Sequence, residues 1–143
     1  MKEDYLLLEN QLCFPIYAVS RMITRVYQPY LDKINLTYPQ YLVMLVLWEN
    51  SPKSVNEIGK LLYLNSNTLT PILKKLTNKG FVVKQRSKED ERKVYISLTE
   101  EGEELKIIAE KIPLEMANEI KIPIETIEEM KNSMWNFLKQ IEK

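Results

Sequence analysis

Residues 64–80 read LNSNTLTPILKKLTNKG, and this stretch decides the fold of the middle of the chain. Apolar residues recur at intervals of three and four, which predicts a helix with one buried face, formed by Leu69, Ile72, Leu73 and Leu76. The opposite face has no acidic side chain and carries Asn67, Thr70, Pro71, Lys74 and Asn78, with Lys75 beside it. Such a face suits the phosphate oxygens and base edges of a DNA major groove. An ordinary surface helix has the same pattern, so the neighbouring segments must decide between the two.

The segment before this helix completes a helix-turn-helix pattern. Ser54 and Glu57 have the spacing of a capping box, which predicts a short helix with its apolar side formed by Val55, Ile58, Leu61 and Leu62. A tight turn at residues 64–66 leads into the polar-faced helix, and Gly80 is placed to close that helix in the left-handed conformation. The order is typical of a DNA-binding module.

The segment after it predicts a β-hairpin. Residues 81–86 and 94–98 are rich in β-branched and aromatic side chains, and residues 87–93 between them are wholly polar. A charged hairpin tip next to a helix-turn-helix indicates a wing that contacts DNA. A merely solvated turn is the alternative.

Helices are predicted on both sides of this module. Residues 6–34 predict a long helix that begins near Phe14 or bends at Pro15, with a second bend or a stop at Pro29. If it begins near Phe14, Cys13 lies at the positive end of the helix dipole, where thiolate is favoured. The following capping box, Thr37 to Gln40, predicts a buried helix because residues 42–48 are apolar all round.

Two further helices are predicted after Thr99 and after Pro123, with a bend at Pro113. Their predicted inner sides are apolar, formed in the first by Leu105, Ile108, Ala109, Ile112, Met116 and Ile120, and in the second by Ile127, Met130, Met134, Phe137, Leu138 and Ile141. Together with the first helix they could form a symmetric dimer. Packing within one chain is the alternative.

The formal net charge of +0 conceals a segregation of charge along the chain. Residues 53–98 carry ten basic and four acidic side chains, a net charge of +6, whereas residues 99–143 carry six basic and eleven acidic ones, a net charge of −5. A basic middle third in a neutral protein favours a local contact with a polyanion.

The composition argues against an enzyme. The chain has no histidine, which is the commonest general base and metal ligand, and a single cysteine. No glycine-rich nucleotide-binding motif is present. We therefore expect no catalytic residue, no metal and no cofactor. The absence of an apolar run of roughly 18 residues and of a signal peptide predicts a cytoplasmic protein without a membrane contact.

The order of these elements resembles the MarR family of winged-helix transcription regulators over nearly the whole chain. Residues 90–92, DER, resemble the wing motif of that family, and residues 98–102, LTEEG, resemble the start of its dimerisation helix. Residues 8–14, LENQLCF, 36–41, LTYPQY, and 69–76, LTPILKKL, are similar to its organic-hydroperoxide-sensing branch.

The resemblance implies a mostly α fold with a small β-hairpin wing, built as a single unit over residues 1–143. A winged helix-turn-helix DNA-binding lobe would occupy residues 36–98, and the N- and C-terminal dimerisation helices would occupy residues 1–35 and 99–143.

The resemblance also implies a redox-sensing site. Cys13 matches the peroxide-reactive cysteine, and Tyr27 and Tyr38 match tyrosines that hydrogen-bond its thiolate across the dimer. Tyr17 matches a third tyrosine near the same pocket. Since Cys13 is the one cysteine, the chain resembles the type in which a low-molecular-weight thiol completes the oxidation.

The implied DNA-binding surface combines the helix and the wing. Arg92 matches the wing arginine that enters the minor groove, and Asp90 matches the residue that steers it. The remaining predicted contacts are Ser66, Asn67, Thr68, Thr70, Pro71, Lys74, Lys75 and Arg86. Asn65 and Asn67 stand where the branch often has Asp and Gly, which puts the operator preference in doubt.

The leading hypothesis is a homodimeric repressor that binds a pseudo-palindromic operator in double-stranded DNA and releases it when an organic hydroperoxide oxidises Cys13. The alternative keeps DNA binding but assigns control to a small apolar or phenolic ligand, with Cys13 structural. A thiol peroxidase and a winged helix that binds only protein are weaker alternatives, which hydroperoxide turnover and salt-dependent DNA affinity would distinguish.

Overall fold

The computed structural model describes residues 4–142, so residues 1–3 and 143 of the predicted dimerisation segments lie outside the described residues. Within residues 4–142, a 3₁₀ turn at Leu8–Asn10 precedes seven α-helices and three β-strands. They are α1 (Cys13–Lys33), α2 (Tyr38–Glu49), β1 (Lys53–Ser54), α3 (Val55–Leu62), α4 (Ser66–Asn78), β2 (Val82–Arg86), β3 (Val94–Leu98), α5 (Glu100–Ala109), α6 (Ile112–Ile120) and α7 (Ile124–Ile141). Two compact units divide between Glu110 and Lys111. The prediction of a mostly α fold with a small wing is confirmed.

The predicted helix starts are confirmed where a local capping box fixes them. At the start of α2, Thr37 Oγ1 accepts from the Gln40 N–H at 3.4 Å, and Gln40 Oε1 accepts from the Thr37 N–H at 3.1 Å. Ser54 and Glu57 make the same reciprocal pair at the start of α3. Because each box satisfies donors that the helix itself cannot, these boundaries follow from a few neighbouring residues.

The first helix begins at Cys13, so Pro15 lies in its first turn and the prediction of a start near Phe14 is correct. The prediction of helix from residue 6 is wrong. In that segment, Gln11 Nε2 donates to the carbonyl oxygens of Tyr5 at 2.6 Å and Leu7 at 3.0 Å, which holds the backbone in a turn. The predicted stop at Pro29 is also wrong, since α1 continues to Lys33.

The predicted hairpin is confirmed, with β2 and β3 antiparallel and Val82 opposite Leu98. The sheet has a third strand that the sequence did not predict, because β1 spans two residues and pairs with the distant β3, Lys53 opposite Ile96. Downstream, the predicted bend at Pro113 is a full break between α5 and α6, with the proline in the first turn of α6.

The core of the first unit surrounds α2, as its all-round apolar sequence predicts. The fully buried side chains there include Leu31, Val43, Met44, Leu47, Ile58, Leu69, Leu73, Leu76, Val82 and Ile96. Several predicted inward positions are wrong, since their side chains are exposed: Leu61 of α3, Ile108 of α5, and Met130, Met134, Phe137 and Ile141 of α7. Leu45 of α2 is also exposed, although the sequence predicts burial all round that helix. Apolar spacing identifies the side of a helix but not whether another element covers it.

The second unit contains α6 and α7. Ile112 and Met116 of α6 are buried, whereas α7 has no buried residue over Ile124–Ile141. Within residues 4–142, no helix has both the length and the apolar character needed to cross a bilayer.

Candidate nucleic-acid interface and cysteine site

The polar face of α4 is exposed along its whole length. Every side chain predicted to contact DNA from this helix lies in solvent: Ser66, Asn67, Thr68, Thr70, Pro71, Lys74 and Lys75. Asn65 caps the helix, since its Oδ1 accepts from the Thr68 N–H at 2.9 Å. This role of Asn65 was not predicted, although an asparagine before a helix is a common cap. The cap fixes the end of α4 that carries the short polar side chains.

Hydrogen bonds within the wing fix the shape of its tip. Arg86 Nη1 donates to the Glu91 carbonyl oxygen at 3.1 Å, and Asp90 Oδ1 accepts from the backbone N–H of Arg92 at 3.0 Å. The Ser87 N–H donates to the Lys93 carbonyl oxygen at 2.8 Å, which closes the loop. Asp90 therefore holds the backbone that presents Arg92.

Basic side chains on these two elements are available to a polyanion. Lys74 and Lys75 of α4 and Arg92 of the wing are exposed, and none of them forms an ion pair with a carboxylate among residues 4–142. Their charge is therefore not neutralised within the described part of the chain. The helix and the wing that are predicted to contact DNA therefore expose side chains that can donate hydrogen bonds to phosphates and base edges.

Three tyrosines form a cluster between α1 and α2. The ring centroids of Tyr27 and Tyr38 are 5.3 Å apart, and the Tyr41 ring lies 5.9 Å from Tyr27 and 6.3 Å from Tyr38. Trp48 extends the cluster, with its ring 6.2 Å from that of Tyr41. Tyr41 and Trp48 were not predicted to join this cluster, although both fall on the α2 face that carries Tyr38, at intervals of three and seven residues.

Burial keeps these phenols in the neutral form. It raises the pKa of Tyr41 to about 12, with smaller contributions from Tyr27 and Tyr38. Burial, with a smaller contribution from Tyr38, raises the pKa of Tyr27, and burial alone raises the pKa of Tyr38. At neutral pH each O–H is therefore protonated and can donate a hydrogen bond to an anion.

Cys13 is exposed and is the first residue of α1. Tyr17 lies one turn further along and is also exposed, with the Arg21 guanidinium 5.5 Å from its ring centroid. A shallow depression of about 560 Å³ lies beside this end of α1, lined by Leu7, Leu8, Glu9 and Phe14. Cys13 thus combines solvent access with an apolar neighbourhood.

One chain does not bring the predicted redox residues together. Tyr27 is 14 positions after Cys13 in the same helix, so the two lie roughly 21 Å apart along its axis at about 1.5 Å per residue. Tyr38 belongs to the tyrosine cluster at the far end of α1. Cys13 and Tyr17 therefore occupy one end of the helix, and Tyr27 and Tyr38 the other.

Large apolar side chains are exposed on the terminal helices. On α1 they are Phe14, Ile16, Tyr17, Val19, Met22 and Ile23. On α7 they are Ile124, Met130, Met134, Trp135, Phe137 and Ile141. Exposed apolar side chains clustered on one helix mark an interaction site, and each of these two helices carries such a cluster.

Comparisons with known proteins agree on one family. The model of the transcriptional regulator SarA/Rot family matches residues 25–107. The organic hydroperoxide resistance transcriptional regulator of Bacillus subtilis (strain 168) is 46% identical, over 98% of this chain and 95% of its own. The structure of reduced AbfR bound to DNA has a TM-score of 0.80 and 37% identity, covering 100% of both chains. The structure of disulfide-formed AbfR has a TM-score of 0.68 and 38% identity, covering 92% of both chains.

Proposed function

The chain belongs to the MarR-type winged-helix family of transcriptional regulators, which are not enzymes, and we propose that it is a homodimeric repressor whose operator binding is switched off by oxidation of Cys13. The observation that carries this proposal is the position of the cysteine. Cys13 is exposed, begins α1 and is followed by Phe14, which lines a mostly apolar depression with Leu7 and Leu8. A hydroperoxide can therefore reach the cysteine, and the depression suits its organic group.

DNA binding is proposed for α4 and the wing. The second helix of a helix-turn-helix inserts its N-terminal residues into the major groove, and the exposed Ser66, Asn67, Thr68 and Thr70 occupy that end of α4. Lys74, Lys75 and Arg86 would contact phosphates. Arg92, presented by the backbone bond to Asp90, would enter the minor groove. AbfR supports this surface, since a structure with 37% identity holds it bound to DNA.

Dimerisation would bring the cysteine and the tyrosines together. Because about 21 Å of helix separates Cys13 from Tyr27 in one chain, contact between them needs a second copy, and an α1 of that copy running in the opposite direction would provide it. The exposed apolar faces of α1 and α7 suit such a contact, and a two-fold axis would pair each Cys13 with the tyrosine cluster of the other copy. Residues 1–35 and 99–143 are the proposed dimerisation segments, and residues 36–98 the DNA-binding lobe.

The proposed chemistry has two steps. The Cys13 thiolate attacks the terminal oxygen of a hydroperoxide ROOH, the O–O bond breaks, the sulfur becomes a sulfenic acid, and the alkoxide takes a proton and leaves as ROH. A low-molecular-weight thiol R′SH then attacks the sulfenic sulfur, giving the mixed disulfide Cys13–S–S–R′ and water. Before oxidation, the neutral O–H groups of Tyr27 and Tyr38 would donate hydrogen bonds to the thiolate. Oxidation consumes the thiolate, so these hydrogen bonds would be lost.

Loss of that bond would be coupled to DNA release through the spacing of the two lobes. Adjacent half-sites lie about one helical turn, roughly 34 Å, apart, so a small rotation of either lobe removes one recognition helix from its groove. AbfR has been solved as a reduced, DNA-bound protein, as an overoxidised, DNA-bound protein and in a disulfide-formed state, which supports cysteine oxidation in that protein. The mixed disulfide, rather than oxidation alone, is therefore the form proposed to release DNA.

The test measures operator affinity before and after cumene hydroperoxide plus a small thiol, using a duplex selected from random DNA by the reduced protein. We expect wild type to lose affinity on oxidation and Cys13→Ser to keep it. Equal release by both proteins, or by neither, would refute the switch. If an aromatic ligand releases the Cys13→Ser variant from the operator, control by a small phenolic or apolar molecule is favoured instead.

The DNA surface is tested separately with the reduced protein. Arg92→Ala and Lys74→Ala should each weaken binding at moderate salt, and Lys139→Ala, on α7, should serve as the matched control with no effect. Unchanged affinity in both of the first two variants would place the recognition surface elsewhere.

A further inference from the structure

Lys79 links the end of the recognition helix to the turn between α1 and α2. Its Nζ donates to the Asn35 carbonyl oxygen at 2.7 Å and to Gln40 Oε1 at 2.8 Å. Lys79 follows the last residue of α4, whereas Asn35 and Gln40 lie on either side of the α1–α2 turn, 44 and 39 residues away in sequence. One ammonium group therefore connects three helices.

Hydrogen bonds hold the turn to which Lys79 donates. Asn35 adopts φ 55°, the left-handed conformation, and the Leu36 N–H donates to the Leu31 carbonyl oxygen at 3.0 Å, which closes α1. Gln40 is only 2% exposed, and its Oε1 also accepts from the Thr37 N–H in the capping box of α2. Because the acceptors belong to the two helix ends, a shift of either end moves the Lys79 ammonium.

The same turn carries the tyrosine proposed to sense the cysteine. Tyr38 is the first residue of α2 and lies between Asn35 and Gln40, the two residues that Lys79 contacts. Its ring packs 5.3 Å from that of Tyr27 and 6.3 Å from that of Tyr41. Tyr38 is therefore three residues from one Lys79 acceptor, the Asn35 carbonyl oxygen, and two residues from the other, Gln40 Oε1.

At its other end, Lys79 is fixed to α4. Gly80, with φ 81°, and Phe81 close that helix through N–H bonds to the carbonyl oxygens of Thr77 at 3.0 Å and Leu76 at 3.1 Å. Burial lowers the pKa of Lys79, with a smaller effect of Lys75, which is consistent with an ammonium drawn into the protein rather than extended into solvent.

We infer that Lys79 is a positioning residue that transmits the state of the tyrosine cluster to recognition helix α4. The inference rests on the proposed redox switch and adds the route by which it acts. When Tyr38 moves on oxidation of Cys13, the Asn35–Gln40 segment carries the Lys79 ammonium with it and reorients α4 as a rigid body.

The test compares the ratio of operator affinities of the thiol and mixed-disulfide forms in wild type, Lys79→Met and Lys75→Met. Methionine keeps the length of the side chain but donates no hydrogen bond. We expect Lys79→Met to reduce the wild-type ratio by at least about fivefold, the lower end of typical coupling between two sites. Lys75→Met removes the same charge from the same helix end, so it should weaken both forms by equal factors. Lys79→Arg, which keeps donors, should retain the wild-type ratio.

A second readout is the equilibrium between the Cys13 thiol and its mixed disulfide in a thiol–disulfide buffer, with and without operator. By linkage, DNA should shift this equilibrium towards the thiol in wild type, and the shift should be smaller in Lys79→Met. A protein that had merely lost a phosphate contact would bind DNA less tightly but keep the shift at saturating DNA.

The outcomes separate the two proposals. If wild type responds to oxidation and Lys79→Met retains its full ratio and its full shift, Lys79 does not transmit the switch. If wild type does not respond at all, the redox switch itself is wrong, and the role of Lys79 falls with it.

Discussion

Gly102 gives the sharpest structural prediction, because its backbone lies against that of Phe81. A Cβ added at Gly102 would overlap the Phe81 carbonyl oxygen and lie 3.4 Å from Leu98 Cδ2. The same carbonyl accepts from the Thr99 N–H at 3.1 Å, at the point where the hairpin returns to α5. The Gly102 carbonyl oxygen in turn accepts from Trp48 Nε1 at 2.8 Å. A methyl group at Gly102 must therefore displace backbone at the base of the wing.

The expected size of the effect follows from three contributions. Replacing glycine by alanine inside a helix stabilises it by about 1 kcal/mol. Overpacking a well-filled contact costs about 1–3 kcal/mol, and losing the hydrogen bond of Thr99 to Phe81 costs about 1 kcal/mol more. We expect Gly102→Ala to lower the free energy of unfolding by about 1–3 kcal/mol and to weaken operator binding by displacing the wing.

Urea unfolding followed by circular dichroism measures the first effect, and an operator titration of the folded protein measures the second. Glu104→Ala is the matched control, since Glu104 is an exposed residue of the same helix and its substitution should change stability by less than about 0.5 kcal/mol. If Gly102→Ala is as stable as wild type or more so, helix propensity outweighs the contact and the packing argument is wrong.

Three further predictions concern the helix cap, the tyrosine cluster and the dimer. Asn65→Ala removes the acceptor of the Thr68 N–H, so the unfolding free energy should fall by about 1 kcal/mol in a urea titration and operator binding should weaken; unchanged values would show that the cap is unimportant. Between pH 10 and about 12 stability should fall as pH rises, because unfolded Tyr41 loses its proton near 10 while the folded residue keeps it to about 12. The slope should be at most about 1.4 kcal/mol per pH unit for this group and smaller in Tyr41→Phe, and equal slopes in the two proteins would contradict the assignment. Met134→Lys places a charge on the exposed apolar face of α7 and should shift the sedimentation coefficient from dimer to monomer, whereas Lys139→Ala should not; a dimeric Met134→Lys would remove α7 from the interface.

The parts of the fold that the sequence predicted are those fixed by near neighbours. The capping boxes at Thr37 and Ser54 need only residues three positions apart, and the amphipathic stripe of α4 needs only its own helix. Gly80 closes α4 because glycine alone adopts its backbone conformation without strain. Local chemistry was sufficient in each case.

The parts that it did not predict depend on partners far along the chain. Strand β1 has two residues and exists because β3 pairs with it more than forty residues later. The bonds of Lys79 to Asn35 and Gln40 have no counterpart in any local pattern. The sequence allowed α1 to begin near Phe14, or to begin at residue 6 and bend at Pro15. The side-chain hydrogen bonds of Gln11 favour the first. Contacts of this kind join residues that are far apart in the sequence, so only the folded structure reveals them.

The candidate site shows the same division. The exposure of the α4 residues predicted to contact DNA followed from helical spacing. The contact of Tyr41 with Tyr27 and with Trp48, in contrast, depends on the packing of α1 on α2. The separation of Cys13 from Tyr27 by most of a helix is a property of one chain, and the dimer that would join them remains a prediction.

One measurement tests the central claim most directly. A reduced protein–operator complex is treated with increasing cumene hydroperoxide in the presence of a small thiol, and each sample is divided between mass spectrometry of Cys13 and a DNA-binding assay. The account predicts that the fraction of DNA released follows the fraction of Cys13 present as mixed disulfide, point by point. Full modification of Cys13 with the operator still bound would contradict it.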